Sequence, residues 1–414
     1  MMSTPTPPRI AIVGGGAAGF FAAIALKETC PSAEVHIFEK GVRPLAKVKV
    51  TGGGRCNVTN SFANITDLRQ AYPRGAKLLK RLFRAFNHED TMAWFEGHGV
   101  ALVTQDDQCV FPRSQQSQSI IDALTITAQR LGVHLHCSKR IAQIVPQSGG
   151  FDLHIANATS PTRFEALIVT SGGEPRPMAW EWLATLGHEI VAPRPSLFTF
   201  NIADETFRQL MGTVVENAIV SIPSTKFRAM GAVLITHWGV SGPAVLRLSA
   251  YAAREVAERE YHFPFSIAWA GETNATVVEA ELQRLAQSTQ KRVHSLRPFG
   301  LPARLWEYLT AKANIPPERR WGEVGRKGMN RLVELLTNDT HAVAGRSVHK
   351  EEFVTAGGVA LSSIEANTLE SKHCPNLFFA GEVLDIDGIT GGFNLQAAWT
   401  TGFVAGSALG RRYQ

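Results

Sequence analysis

The chemistry available to this chain is concentrated in glycines and in the acids that follow them. Gly14, Gly16 and Gly19, with Ala17 and Ala18 between them, carry a G-x-G-x-x-G spacing. The first glycine permits a tight turn, the second lets a pyrophosphate reach the backbone, and the third lets a helix lie close on a strand. Free N–H groups and the positive end of a helix dipole then face the phosphates. Glu39, with Lys40 beside it, follows at the spacing expected of a ribose-binding acid. A carboxylate there accepts hydrogen bonds from adenosine ribose hydroxyls and repels a 2′-phosphate.

Three further stretches share this character. The loop Pro44–Asn60 reads PLAKVKVTGGGRCNVTN and brings Lys47, Thr51, Gly52, Gly53, Gly54, Arg55, Cys56 and Asn57 into one segment. Successive glycines beside a cation suit a backbone wrapped around an anion or a flat ring. Ser171, Gly172 and Gly173 end an apolar strand, the place where a doubly wound sheet opens its ligand crevice. Towards the C-terminus an apolar strand runs into Gly381 and Glu382, then Asp387, then Gly391, Gly392, Phe393 and Asn394 at the start of a helix. That helix start can set N–H groups and a positive dipole end against an electron-rich ring. For acid–base or nucleophilic work the candidates are His237, Cys56 and Asp387. No second G-x-G-x-x-G follows Gly173, so a separate nicotinamide-dinucleotide domain is not expected.

The elements that must position these residues are readable from periodicity. Ile10–Val13 is a buried strand, the alanine-rich run after Gly16 a helix, and Glu34–Phe38 a second strand. Leu78–Val100 reads as helical and Ser119–Leu131 as another helix, with short strands at Ala101–Val103 and Cys109–Phe111. Asp106 and Asp107 between those strands read as a turn. Val133–Cys137, Ile141–Val145, Phe151–Ile155 and Phe164–Thr170 read as strands. From Val191 the pattern changes: Val214–Ile222 and Ala232–Thr236 alternate like antiparallel strands of a separate small sheet. Thr276–Ala313 and Met329–Leu336 are amphipathic helices. The expected fold class is α/β, with a discontinuous Rossmann-type domain split by a β-rich insert and a helical subdomain. The expected boundaries are 1–192, 193–272, 273–331, a return to the insert at 332–351, and 352–414.

Bulk properties limit the alternatives. A chain of 414 residues is long for one core. With 44% hydrophobic and 19% charged residues it reads as a globular protein. The net charge is +6, densest at Arg74–Arg84 and Arg319–Lys327, both expected to be solvated faces. The five cysteines (Cys30, Cys56, Cys109, Cys137, Cys374) show no C-x-x-C spacing, so neither a cysteine zinc site nor a redox dithiol is expected, and no metal. The N-terminus lacks a signal-peptide pattern and no run reaches the ~18 apolar residues of a membrane span, so a cytoplasmic location is expected.

Four of these motifs together resemble the bacterial BaiN-like (YhiN-type) family of NAD(P)/FAD-dependent oxidoreductases. They are GGGAAG at 14–19, TGGGRCNVTN at 51–60, THWGVSGPAVLRLS at 236–249 and FFAGEVLDIDGITGGFNLQAAWTTG at 378–402. The resemblance covers nearly the whole chain. It implies FAD held by a domain built from both chain ends. Gly14–Gly19 would take the pyrophosphate, Glu39 the adenosine ribose and Glu382 the ribitol–phosphate region, with Gly391–Asn394 facing the flavin ring. The chain departs from the family where Gly172-Gly173 runs through EPRPMAW to a helix, in place of a longer glycine-rich segment. The implied activity is hydride or electron transfer between bound flavin and a small molecule, with NAD(P)H a candidate donor. Two alternatives stay open: a flavoprotein that binds or modifies RNA, and a flavin-binding protein without efficient turnover. Oligomeric state is left open.

Overall fold

In the computed structural model the described residues are 6–174, 180–346 and 354–414. They divide into two compact units, Met1–Pro195 with Val354–Gln414, and Ser196–Phe353. Among the described residues, no helix is long and apolar enough to cross a membrane.

The first unit is organised on a parallel sheet of five strands in the spatial order Leu377–Phe379, Ala166–Val169, Arg9–Val13, Glu34–Phe38, His134–His136. Ile10, Ala11 and Ile12 are wholly buried, as a central parallel strand covered on both faces requires. The sheet thus takes strands from both ends of the chain. The closing helix Phe393–Tyr413 lies against the opening helix Ala17–Thr29 through glycines one turn apart. A Cβ on Gly402 would fall 2.7 Å from the Ala18 carbonyl oxygen, and one on Gly406 would fall 2.2 Å from that of Ala22. Only glycines allow this approach, and it joins two segments separated by most of the sequence.

Three sequence expectations are corrected here. Leu78–Val100 is two helices, Ala76–Leu82 and His88–Gly97. The break is Asn87, whose side-chain oxygen accepts from Glu89 N–H at 2.7 Å and Asp90 N–H at 3.1 Å, while Asp90 accepts from Asn87 N–H at 2.8 Å. This capping box starts a new helix where hydrophobic spacing alone reads straight through. The Phe164–Thr170 run also divides. Thr162–Phe164 pairs antiparallel with Gly150–Ile155, and only Ala166–Val169 enters the parallel sheet. Arg74 leaves the expected solvated basic face, because its side chain is 9% exposed and paired with a buried acid.

The second unit contains a closed barrel, in which the antiparallel strands expected of a separate small sheet take part. Its strands run in the order Phe200–Ile202, Gly239–Ser241, Arg228–Ile235, Val214–Ser221, His262–Ala268, Asp339–Arg346. Phe200–Ile202 pairs on both sides, which removes the unpaired edges an open sheet would expose. Phe200 fills the interior, with Phe263 and Phe265 edge-on to it at 5.2 Å each. The helices Ala275–Ser288, Ala303–Lys312 and Gly325–Asn338 share this core through Val278, Leu282, Leu305, Trp306, Leu332 and Leu336. Asp339, fully buried, is held by Lys312 Nζ at 2.6 Å, Trp269 Nε1 at 3.0 Å and His341 Nε2 at 3.0 Å. Burial pushes its carboxyl up, but His341 and Lys312 outweigh that and hold it below its ordinary value.

Candidate functional site

The glycine turn at the first strand separates packing from recognition residue by residue. Gly14 has φ +120°, and a Cβ there would fall 2.3 Å from the Thr170 carbonyl oxygen. A Cβ on Gly19 would fall 2.0 Å from the Gly14 carbonyl oxygen. Both are glycine because protein backbone occupies the space. Gly16 is different: a Cβ there meets no atom within 4 Å. It is the N-cap of Ala17–Thr29, with no side-chain cap and no acid in the first turn. An uncapped helix start beside a glycine that faces open space fits the pyrophosphate of a dinucleotide.

Glu39 sits across this turn. Its Oε2 accepts from Gly15 N–H at 2.8 Å and its Oε1 from Gly41 N–H at 2.6 Å. Each carboxylate oxygen keeps a second lone pair, which is the capacity that ribose hydroxyls need. Lys40 is largely exposed, 3.9 Å from Glu174.

The remaining glycine segments converge on the same turn. Leu45 N–H donates to the Gly15 carbonyl at 2.8 Å, which brings in the Pro44–Asn60 loop. Lys47 Nζ donates to Glu382 Oε2 at 2.8 Å, and Thr355 N–H donates to Glu382 Oε1 at 2.8 Å. A Cβ on Gly173 would fall 2.4 Å from Glu382 Oε1, and one on Gly381 would fall 2.8 Å from Ala18 Cβ. Ser171 and Gly172 follow the strand Ala166–Val169 without belonging to it, and residues 175–179, within the 174–180 stretch expected to depart from the family pattern, lie outside the described residues.

The 51–60 loop and the helix start near Gly391 form one clasp. Asn57, oriented to satisfy its neighbours, donates to the Thr59 carbonyl at 2.8 Å and accepts from Gly392 N–H at 3.1 Å. Asn60 Nδ2 donates to the Gly391 carbonyl at 3.1 Å, and Trp399 Nε1 to the Val58 carbonyl at 2.9 Å. Asn394 fixes the same turn through Gly388, accepting at 2.7 Å and donating at 2.9 Å. Gly392 is the N-cap of Phe393–Tyr413, again without a side-chain cap. The Phe393 residue is buried, its ring edge-on to Phe62 at 5.1 Å.

Other loop residues act differently from the simplest sequence expectation. Gly52, Gly53 and Gly54 all have positive φ, and Thr51 Oγ1 donates to the Val48 carbonyl at 2.9 Å. The Arg55 guanidinium lies over the Phe111 ring at 4.2 Å and its Nε donates to the Gly52 carbonyl at 3.1 Å, so it stiffens the loop. Cys56 is fully buried, and burial pushes its thiol up to about 12, with a Thr51 hydrogen bond opposing. A thiol that stays protonated is a poor nucleophile. Asp387 is fully buried and both its oxygens accept from Arg74, through Nε and Nη2. That clamp gives Asp387 a positioning role in place of proton transfer. His237 lies on an exposed turn of the second unit, its ring edge-on to Trp238 at 4.5 Å.

Sequence reasoning missed Arg74, Tyr72 and Thr401. Tyr72 Oη donates to the Phe393 carbonyl at 2.9 Å, and Thr401 Oγ1 accepts from Gly381 N–H at 2.8 Å. None has a local spacing that could reveal it. Gly402, Gly406 and Gly410 do, being four residues apart on one helix face.

Comparison with known proteins adds the context. The family described as HI0933-like protein Rossmann domain matches residues 8–408. The 3-dehydro-bile acid delta(4,6)-reductase of Clostridium scindens is 26% identical over 421 residues, covering 98% of this chain and 99% of that protein. The ribosomal RNA dihydrouridine synthase of Escherichia coli is 26% identical over 407 residues, covering 96% and 97%. Among solved structures, a 3-ketosteroid-delta4-(5alpha)-dehydrogenase from Rhodococcus jostii RHA1 has the same fold. Its TM-score is 0.51 at 14% identity, covering 99% of this chain and 98% of that chain.

Proposed function

This chain belongs to the HI0933-like protein Rossmann family and is an FAD-dependent oxidoreductase, and from that premise we propose that it reduces an alkene conjugated to a carbonyl. The observation that carries this is a shared bond type. The names of the two relatives compared above describe reduction of a carbon–carbon double bond beside a carbonyl: a 4,6-diene next to a 3-oxo group, and the uracil ring of uridine. When bound, FAD supplies the hydride chemistry.

The protein's own part is binding and orientation. Gly16 and the start of Ala17–Thr29 take the pyrophosphate, Glu39 the adenosine ribose, and Glu382, fixed by Lys47 and Thr355, the ribitol–phosphate region. The Gly391–Asn394 turn directs an uncapped helix start at the ring, where N–H groups stabilise negative charge. Asn57, Asn60 and the Arg74–Asp387 pair hold that turn in place.

The test is anaerobic. FAD-loaded protein is bleached with NADH, NADPH or dithionite, then mixed with a 3-oxo-4,6-diene steroid or a uridine-rich RNA. Return of the oxidised flavin spectrum with a product two mass units heavier is the expected result. Reduced protein that neither substrate reoxidises would overturn the proposal. Failure with both nicotinamides but not with dithionite would exclude them as donors.

One observation favours the RNA as substrate. Residues 291–334 hold ten lysines and arginines against four glutamates, a net +6 equal to that of the whole chain. Lys291 and Arg292 lie beside Arg319 and Arg320, because Val293 N–H donates to the Arg319 carbonyl at 2.9 Å and Trp321 N–H to the Lys291 carbonyl at 3.2 Å. Lys291, Arg292, Arg297, Arg319, Arg326 and Lys327 are exposed and have no ion-pair partner among the described residues. Phosphates would release counterions from such a surface, so binding should weaken steeply with salt. An R319E/R320E variant that binds RNA as well as the wild type at low salt would remove this reading.

A further inference from the structure

The edge of the parallel sheet carries a cluster outside the residues assigned to the flavin, next to Glu39, whose N–H donates to the His136 carbonyl at 2.9 Å. Glu34 and His36 alternate onto one face of their strand, and His36 is the direct cross-strand partner of His134 on the edge strand. His136, two residues on, shares that face. His36 Nε2 donates to Glu34 Oε1 at 2.7 Å, and its Nδ1 pairs with His136 Nε2 at 3.0 Å. The His36 ring stacks on His134 with centroids 4.8 Å apart and stands edge-on to Phe164 at 5.4 Å. One ligand atom from each of Glu34, His36 and His134 lies within 4.8 Å of the others.

We infer that Glu34, His36 and His134 form a binding site for a divalent transition cation of the zinc class, with His136 as the hydrogen-bonding partner that orients His36. Two imidazoles and one carboxylate suit Zn²⁺, Co²⁺, Ni²⁺ or Cu²⁺ and disfavour Mg²⁺ and Ca²⁺, which prefer all-oxygen sets. Three protein ligands leave a fourth tetrahedral position for water. With Nε2 of His36 on the cation, its Nδ1–H would donate to His136 Nε2. Both rings then stay neutral by exchanging tautomers, and the ring is held as metal-bound histidines usually are.

The surroundings favour this arrangement. Arg9 Nε approaches the other Glu34 oxygen, Oε2, at 3.5 Å and leaves Oε1 to the cation. His134 is exposed and can turn to close the ligand set, whereas Glu34 and His36 are already in contact. The sequence hides the site because its halves, E-x-H and H-x-H, lie about a hundred residues apart and meet only through strand pairing.

The experiment uses tag-free, FAD-loaded protein stripped with EDTA. It is titrated with Co²⁺, read by its visible d–d absorption, and with Zn²⁺ against a competing chelator. The expected result is one tightly bound ion per chain. His134→Ala and Glu34→Gln should each weaken binding at least about tenfold, and His136→Phe by about 10–100-fold. His134→Asp, which restores a ligand on an exposed edge, should recover part of it. A thermal melt with and without Zn²⁺ should show stabilisation in the wild type and none in His134→Ala. No stoichiometric uptake, or uptake unchanged in His134→Ala and Glu34→Gln, would overturn the assignment.

Discussion

Replacing Gly406 by alanine sets two effects of known sign against each other. An interior helical glycine costs about 1 kcal/mol relative to alanine, so propensity alone predicts that Gly406→Ala stabilises. The structure predicts the reverse. The new Cβ would stand 2.2 Å from the Ala22 carbonyl oxygen, where about 3.3 Å is an ordinary carbon–oxygen approach. The obstacle is backbone, so no rotamer change relieves it and the helices must separate by about 1 Å. Overpacking of this kind costs about 1–3 kcal/mol. Taking the upper end, because the contact is with backbone, the net loss is about 2 kcal/mol after propensity is credited. At about 2–4 °C per kcal/mol for a unit of this size, the melting temperature should fall by about 4–8 °C. Gly97→Ala is the internal control, since a Cβ at this last residue of His88–Gly97 would meet no atom within 4 Å. The assay is thermal unfolding with FAD release followed by flavin fluorescence, because the displaced helix also carries the Gly391–Asn394 turn. A Gly406→Ala protein more stable than wild type, or indistinguishable from Gly97→Ala, would refute the close-packing argument.

Three other outcomes follow from the geometry. Cys56→Ser should retain FAD and most turnover, and the native thiol should resist iodoacetamide at pH 8, since burial pushes it up to about 12; loss of all turnover with FAD retained would contradict this. Asp387→Asn leaves the Arg74 guanidinium buried without its counter-charge and should cost about 3–5 kcal/mol in denaturant unfolding, as opposed to less than 1 kcal/mol for an ordinary surface pair. Asp339 is held below its ordinary value of 3.8, so its contribution is present above that pH and is lost as pH falls further. Acid titration of the wild type against Asp339→Asn should show a steeper loss of stability below 3.8 in the wild type, and parallel curves would contradict the assignment.

What the sequence revealed was local. The strand–turn–helix around Gly14–Gly19 was legible because hydrophobic period and glycine spacing occur within one short window, and the helix start after Gly392 was legible in the same way. Glu39 was legible because its distance from the turn is set by one helix. What escaped was the pairing of distant groups. Arg74 looked like part of a solvated basic run because Asp387 lies 313 residues away. The Asn87 break was hidden by apolar residues that continue in helical phase on both sides of it. Barrel closure depends on Phe200–Ile202 pairing on two sides, which no strand announces alone. His36 and His134 likewise become neighbours only through register.

The central claim is that both chain ends build one FAD site whose phosphate position is marked by Gly16. Its most direct test is an FAD titration of apoprotein, wild type against Gly16→Val, followed by quenching of flavin fluorescence. A Cβ at Gly16 meets no protein atom within 4 Å and the residue has an ordinary negative φ, so the variant should fold and melt like the wild type. The wild type should bind one FAD per chain, and the folded variant none, because the added methyls occupy the space of the pyrophosphate. A Gly16→Val protein that binds FAD as tightly as the wild type, or a wild type that refuses FAD, would contradict the account.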